Sequence, residues 1–331
     1  GHQPAAVTVL QGLRARLPHA NVTYAPGPDI YKEYPSWFDA NMDPSMKKTP
    51  ETPEEAEARF QEALETARRA DLVVMVLGEH ANMAGEAASR ASFDLPGRQE
   101  ELLKAVTALG KPVVLVLLNG RPLSINWAAE HVPAILEAWE PGSEGGHAVA
   151  DILFGEVNPG GKLPVSFPRK AGHAPLYYAH NLSHAPEGSM MYASRYWDGP
   201  PAPLYPFGFG LSYTTFSIDN LRLSAVQVPV GGTLTATAEV TNTGAVAGDE
   251  VVQLYIHQRY GSSSRPIREL KGFQRLTLQP GETRSVTFEL GPAELRHWST
   301  AHGKWVQDAA EFDVWVGADS TASLHAEFAV V

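Results

Sequence analysis

The sequence predicts two folded parts in tandem: an α/β domain with a mostly parallel sheet and helices on both faces, then an all-β sandwich. Two observations carry this. Up to about residue 170, short apolar runs alternate with helical patterns, the signature of βαβ units. From Phe216 onward only strand-like runs of period two appear, each bounded by turn residues. The expected boundaries are 1–170 for the α/β domain, 171–215 for an extended aromatic-rich linker and 216–331 for the sandwich.

The composition fits this division. A chain of 331 residues has room for about two domains, and an apolar share of 44 % is ample for their cores. The net charge of −11 argues against nucleic acid and anionic membrane surfaces as partners. There is no cysteine, which excludes disulfides and thiolate metal sites. No apolar run approaches the roughly 20 residues of a membrane-spanning helix, and no signal peptide is present. The opening Gly-His-Gln resembles a processed or engineered end rather than a natural start.

Taken in order, residues 4–30 give a helix pattern through Val7, Leu10, Leu13 and Leu17, then a short strand from Asn21 to Tyr24. Residues 31–52 have no period and read as a loop. Pro53 to Arg69 is the clearest helix, with acids in its first turn and arginines at its end, as the helix dipole prefers. The run Leu72 to Leu77 reads as a strand buried on both faces. A long polar loop carrying Glu79, Glu86 and Arg90 leaves its carboxyl end, and a helix starts after Pro96 and stops at Gly110. A second buried strand, Pro112 to Leu118, ends in the turn Asn119-Gly120-Arg121-Pro122. A third apolar run, Ala134 to Trp139, precedes a helix that Ser143 is placed to cap and that runs to Phe154. After the turn at Asn158 to Gly161, Lys162 to Phe167 reads as a further strand.

Pro168 to Leu211 is rich in Pro, Gly, His and Tyr, and its aromatics mark it as packed rather than disordered. The runs FSIDNLRLS, TLTATAEVTN, EVVQLYIHQ, RELKGFQRLTL, TRSVTFEL, AEFDVWVG and SLHAEFAVV follow. Seven short strands in this pattern suggest an immunoglobulin-like or fibronectin-type sandwich.

In an open α/β sheet, ligands bind beyond the carboxyl ends of the strands. The loop after Leu77 is therefore the best place for chemistry, and general acid–base work needs a carboxyl on such a positioned loop. Glu79 and Glu86 are the two candidates. Arg90 either pairs with a carboxylate to hold the loop or contacts substrate. Other chemistries fit poorly. The stretch Gly155 to Lys162 loosely resembles a phosphate loop, but it is one residue too long and leads towards a strand. His180 and His184 are four apart on no helix, so no metal is expected. There is no G-x-S-x-G elbow. The aromatics between 177 and 209 either stack on sugar rings or pack the domains together; Tyr196 and Trp197, beside Arg195, stand out as ligand contacts.

The strings GEHANMAGEAASRASFDLPGRQEELLKAV, GKPVVLVLLNGRPL, EAWEPGSEGGHAVADILFGEVNPGGKLPVSFPR and SRYWDGPPAPLYPFGFGLSYTTF resemble the carboxy-terminal half of family-3 glycoside hydrolases, most of all the bacterial β-glucosidases. VTNTGAVAGDEVVQLYI and LKGFQRLTLQPGETRSVTFEL resemble the fibronectin type III-like domain that ends many of them. The resemblance implies a retaining β-glycosidase acting on terminal non-reducing β-D-glucosyl residues of oligosaccharides or aryl β-glucosides. It implies no cofactor, and a periplasmic or secreted enzyme. The family's nucleophile is an aspartate on an amino-terminal (β/α)8 barrel, for which this chain has no counterpart, so the isolated chain is expected to be inactive. The acid/base motif falls on Gly-Glu86-Ala-Ala-Ser-Arg90, so Glu86 takes that role and Glu79 is second. Tyr196, Arg195 and Arg90 are the implied substrate contacts. A non-catalytic carbohydrate-binding or scaffold module, and a β-xylosidase or β-N-acetylglucosaminidase relative, remain as alternatives.

Overall fold

The structure is a computed structural model and describes residues 6–30, 51–86, 88–181 and 196–331. Most of the loop expected over 31–52, together with Arg195, lies outside the described residues. The chain divides into two compact units, one of Gly1–Glu156 with Pro168–Ala174 and one of Val157–Phe167 with Pro175–Val331.

The first unit is an α/β domain. Helix α1 (Val9–Arg16) and helix α2 (Pro53–Arg68) both open on capping boxes, Thr8 with Gln11 and Thr52 with Glu55. Strands β1 (Val73–Gly78), β2 (Val113–Leu118) and β3 (Ala134–Glu137) form a parallel sheet in that order. Between them run α3 (Gln99–Thr107) and α4 (Asn126–His131), and α5 (Gly145–Leu153) follows. Val9 and Leu13 of α1 and Val149 and Ala150 of α5 pack with Val116 on one face. Leu115 and Leu117 point to the other face, because strand side chains alternate, and both are fully buried. On α3, Leu102, Leu103 and Val106 are buried.

Several local expectations change. β2 is the most buried strand of this sheet, with Val113, Leu115, Val116 and Leu117 buried. β1 is at the sheet edge among the described residues, and Val76 is 41 % exposed, so β1 is not buried on both faces. Asn21 to Tyr24 joins no ladder among the described residues. Ser143 does not cap α5: the helix starts after Glu144, and the Ser143 carbonyl instead accepts from the Val7 N–H at 2.8 Å. A Cβ on Gly146 would lie 2.1 Å from the Thr8 carbonyl oxygen, so glycine is what lets α5 approach the segment leading into α1.

The second unit is a β-sandwich. Strands β4 (Phe216–Leu223), β6 (Leu234–Asn242) and β9 (Thr283–Leu290) form one sheet. The other has the order β5-β13-β12-β7-β8, with β5 Gln227–Val228, β7 Gly248–Gln258, β8 Glu269–Leu278, β12 Ala310–Gly317 and β13 Leu324–Val330. β10 (His297–Ser299) and β11 (Lys304–Val306) make a separate hairpin, and the helix preceding it, α6 (Pro292–Leu295), is one turn long. Ala236, Ala238 and Val240 of one sheet and Val252, Leu254, Phe312 and Val314 of the other are all within one core and fully buried. The segment Lys162 to Phe167 is not a ladder strand. It makes one bridge, Phe167 to Tyr205, and Leu163 N–H donates to Phe209 O at 2.8 Å. The aromatics near it pack inside this unit. Tyr178 stacks on Phe207 with centroids 4.2 Å apart, and Tyr205 on Phe209 at 5.0 Å.

Candidate active site

The site is the rim where β1, β2 and β3 end at Gly78, Leu118 and Glu137. Parallel strands all deliver their next residues to this one edge. The residues so delivered are Glu79, then Asn119, Gly120 and Arg121, then Trp139. The ladder continues just far enough to fix them: Glu79 N–H donates to Leu118 O at 2.8 Å and Asn119 N–H to Trp139 O at 3.2 Å.

Glu79 is buried, with its side chain only 1 % exposed. Its carboxylate receives Arg90 Nη1 at 2.7 Å, Arg121 Nε at 3.0 Å and the Gly120 N–H at 3.2 Å. A buried carboxylate is tolerable only when paired and hydrogen-bonded, and this one is fully supplied. The two arginines then reach onward into the loop. Arg90 Nη2 donates to Asp94 O at 2.8 Å, and Arg121 Nη2 donates to the carbonyls of Met83 and of Ala88, the latter at 2.8 Å. Gln99, buried at the start of α3, closes the loop's far end by exchanging two hydrogen bonds with the backbone of Gly78, each of 2.7 Å.

Glu86 is the opposite case. It sits in an exposed turn after Gly85, and no described residue bonds its carboxylate. The loop thus separates the two candidate carboxylates by environment, one consumed in structure and one presented to water. Arg90 pairs with Glu79 and not with Glu86. Tyr196 belongs to the second unit and is 40 % exposed, and Trp197 beside it is fully exposed.

Sequence reasoning missed three residues at this rim. Gln99 reads as an ordinary helix residue, and Arg121 as part of a turn. Glu137 hides in the apolar run of β3. Its Oε1 accepts from the Trp139 N–H at 3.0 Å and its Oε2 from Asn119 Nδ2 at 3.3 Å. Trp139 holds a left-handed backbone, φ 50°, rare for a bulky residue. The available signal was position: each of the three lies at or beside a strand's carboxyl end or the loop leaving it.

Burial pushes the Glu137 carboxyl up to about 7, against the hydrogen bonds that favour its charged form, and the Glu79 carboxylate adds to the rise. The consequence for stability has a definite sign. The unfolded chain releases this proton near the ordinary glutamate value of about 4.3, and the folded chain holds it to higher pH. Stability contributed by the protonated form is therefore complete at low pH, falls as pH rises from about 4.5 to 7, and levels off above. The loss amounts to about 3 kcal/mol. Glu137→Gln should flatten this dependence in urea unfolding between pH 5 and 8. An unchanged slope in the variant would show that another group is responsible.

The comparisons with known proteins agree with this architecture. The model of the glycosyl hydrolase family 3 C-terminal domain matches residues 1–213, and that of the fibronectin type III-like domain matches residues 250–320. A parallel-sheet domain bearing a carboxylate loop, with a β-sandwich after it, is thus the carboxy-terminal part of a glycoside hydrolase. The chain belongs to glycosyl hydrolase family 3. A periplasmic β-glucosidase of Salmonella typhimurium is 42 % identical over 320 residues, covering 95 % of this chain and 41 % of the relative. A β-xylosidase of Formosa agariphila is 43 % identical over 323 residues, covering 97 % and 41 %. Among solved structures, a β-glucosidase from Erythrobacter marinus superposes with a TM-score of 0.88 at 38 % identity over 98 % of this chain and 43 % of its own. A mutant β-glucosidase of Listeria innocua in complex with laminaribiose gives 0.84 at 34 % identity, over 100 % and 42 %. The chain spans about two-fifths of the length of these relatives.

Proposed function

We propose that this chain supplies the general acid/base half of a retaining β-glucosidase, with Glu86 as the proton donor and a (β/α)8 barrel domain as the source of the nucleophile. The observation that carries this reading is the division of labour in one loop: Glu79 is buried against two arginines, while Glu86 is exposed and has no bonded partner among the described residues. In a retaining mechanism two carboxyl groups about 5–5.5 Å apart work in turn. The nucleophile attacks the anomeric carbon while Glu86 gives its proton to the departing glycosidic oxygen. Glu86, now a carboxylate, then takes a proton from the water that displaces the nucleophile. This chain brings one of the two groups.

The relatives named β-glucosidases support terminal β-D-glucosyl residues as the substrate, and the relative named β-xylosidase keeps xylosyl substrates as the sibling reading. Tyr196 and Arg195 are proposed contacts on the leaving-group side. Arg90, 17 % exposed and bonded to Glu79, supports the loop in this account rather than touching sugar. The relative named a periplasmic enzyme supports a periplasmic or secreted location. No helix among the described residues is long and apolar enough to cross a membrane.

The test is turnover of an aryl β-glucoside by the chain alone and by the chain joined to a family barrel. The chain alone should be inert, because one carboxyl cannot both attack and donate, and joining the barrel should give hydrolysis with retention. Sustained hydrolysis by chain of a single mass would place a nucleophile within these residues and overturn the proposal.

A further inference from the structure

We propose that Arg121 is the positioning residue for Glu86: its guanidinium, locked by the buried Glu79 carboxylate, ties together the two sides of the turn that presents Glu86. The inference rests on the assignment of Glu86 as the acid/base.

The geometry is that of a clamp with a fixed base. Glu79 and Arg121 follow the ends of adjacent strands, so the pair inherits the rigidity of the sheet. Glu79 orients the guanidinium through Nε at 3.0 Å. That leaves Nη2 to donate to Met83 O, ahead of Glu86, and to Ala88 O at 2.8 Å, beyond it. Hydrogen bonds from a charged donor are roughly twice as strong as neutral ones. The Arg121 side chain is 18 % exposed, so water competes little for them. A planar fork can satisfy a carboxylate on one side and two carbonyls on the other, which a lysine ammonium cannot do in a fixed plane.

The surroundings are shaped for this contact. A Cβ on Gly120 would lie 2.3 Å from the Ala84 Cβ, so the turn before Arg121 rests directly on the Glu86 loop. Gly85, just before Glu86, has φ +100°, a backbone that glycine adopts freely and other residues rarely do. Misplacing a catalytic group by about 1 Å can reduce rate on the order of 10²-fold.

Two variants test this in the barrel-containing enzyme: Arg121→Lys, which keeps the charge but not the fork, and Arg121→Gln, which keeps one donor group without the charge. The readout is kcat/KM across β-glucosides whose leaving groups range from alkyl alcohols to dinitrophenol. Loss of positioning should cost roughly 10–100-fold on poor leaving groups and little on dinitrophenol, which needs no proton. In a Glu86→Ala background the same substitutions should add no further leaving-group dependence, since their effect passes through Glu86. In the 331-residue chain, amide exchange between residues 83 and 90 should rise in both variants while that of β2 stays protected. An equal loss on all substrates, or an additive loss in the Glu86→Ala background, overturns the proposal. So does unchanged exchange in the turn, which judges the clamp without reference to activity. If Glu86→Ala itself shows no leaving-group dependence, the acid/base assignment fails instead, and the exchange result alone decides whether Arg121 holds the turn.

Discussion

Glu86→Ala, made in the barrel-containing enzyme, is expected to lower kcat/KM for disaccharides and alkyl glucosides by about 10²–10⁴-fold, the usual worth of general acid–base help. The same variant should leave kcat/KM for a dinitrophenyl glucoside close to normal. The reason is what each leaving group needs. An alkoxide departing from the anomeric carbon must be protonated as the bond breaks, whereas dinitrophenolate is stable as it leaves. The second half of the reaction behaves differently, because water attacking the glycosyl-enzyme needs a base whatever the first leaving group was. Turnover of the activated substrate should therefore stall at deglycosylation, and kcat should fall. Azide, a nucleophile that carries no proton to remove, should restore it and yield a glucosyl azide of retained configuration. A uniform loss across the series, or no response to azide, would remove Glu86 from the acid/base role.

Glu79→Ala should act on folding first. It removes the buried carboxylate and leaves Arg90 and Arg121, 17 % and 18 % exposed, facing each other without an anion. Breaking a buried pair by deleting one partner typically costs about 3–5 kcal/mol, because the remaining charge is uncompensated. Here two charges are left, and the Gly120 N–H also loses its acceptor. The urea midpoint of the α/β unit should fall accordingly, and azide should rescue activity far less than in Glu86→Ala, because Glu86 is still present as a base. A loss below about 1 kcal/mol would mean that both guanidinium groups find water in the folded state. A rescue pattern in Glu79→Ala that is missing from Glu86→Ala would exchange the roles of the two carboxylates.

The strands of the sandwich were the most legible part of the sequence. β6 alternates buried and half-buried residues along its whole length, from Leu234 to Asn242, and period two is a local property that survives any tertiary arrangement. The hairpin of β10 and β11 was not legible, since three residues are too few to show a period. The same limit explains Lys162 to Phe167, whose apolar residues fit a strand but whose backbone makes a single bridge. At Ser143 the residue type suited a cap, yet its carbonyl was taken by Val7, a partner that no local pattern announces.

By itself the sequence determined the order of the two folds and the placing of a carboxylate loop at the carboxyl end of a strand. Both follow from periodicity and chain order, which act over a few residues. Which carboxylate the loop keeps free was decided only by the tertiary structure. Glu79 is neutralised by Arg90, eleven residues away, and by Arg121, forty-two residues away, and Arg121 is also what holds the turn of Glu86. Glu137 acquired its raised pKa from burial and from Glu79 across the sheet, neither of which a strand pattern encodes. Charge pairing and desolvation depend on distance through space, and that distance exists only once β1, β2 and β3 lie side by side.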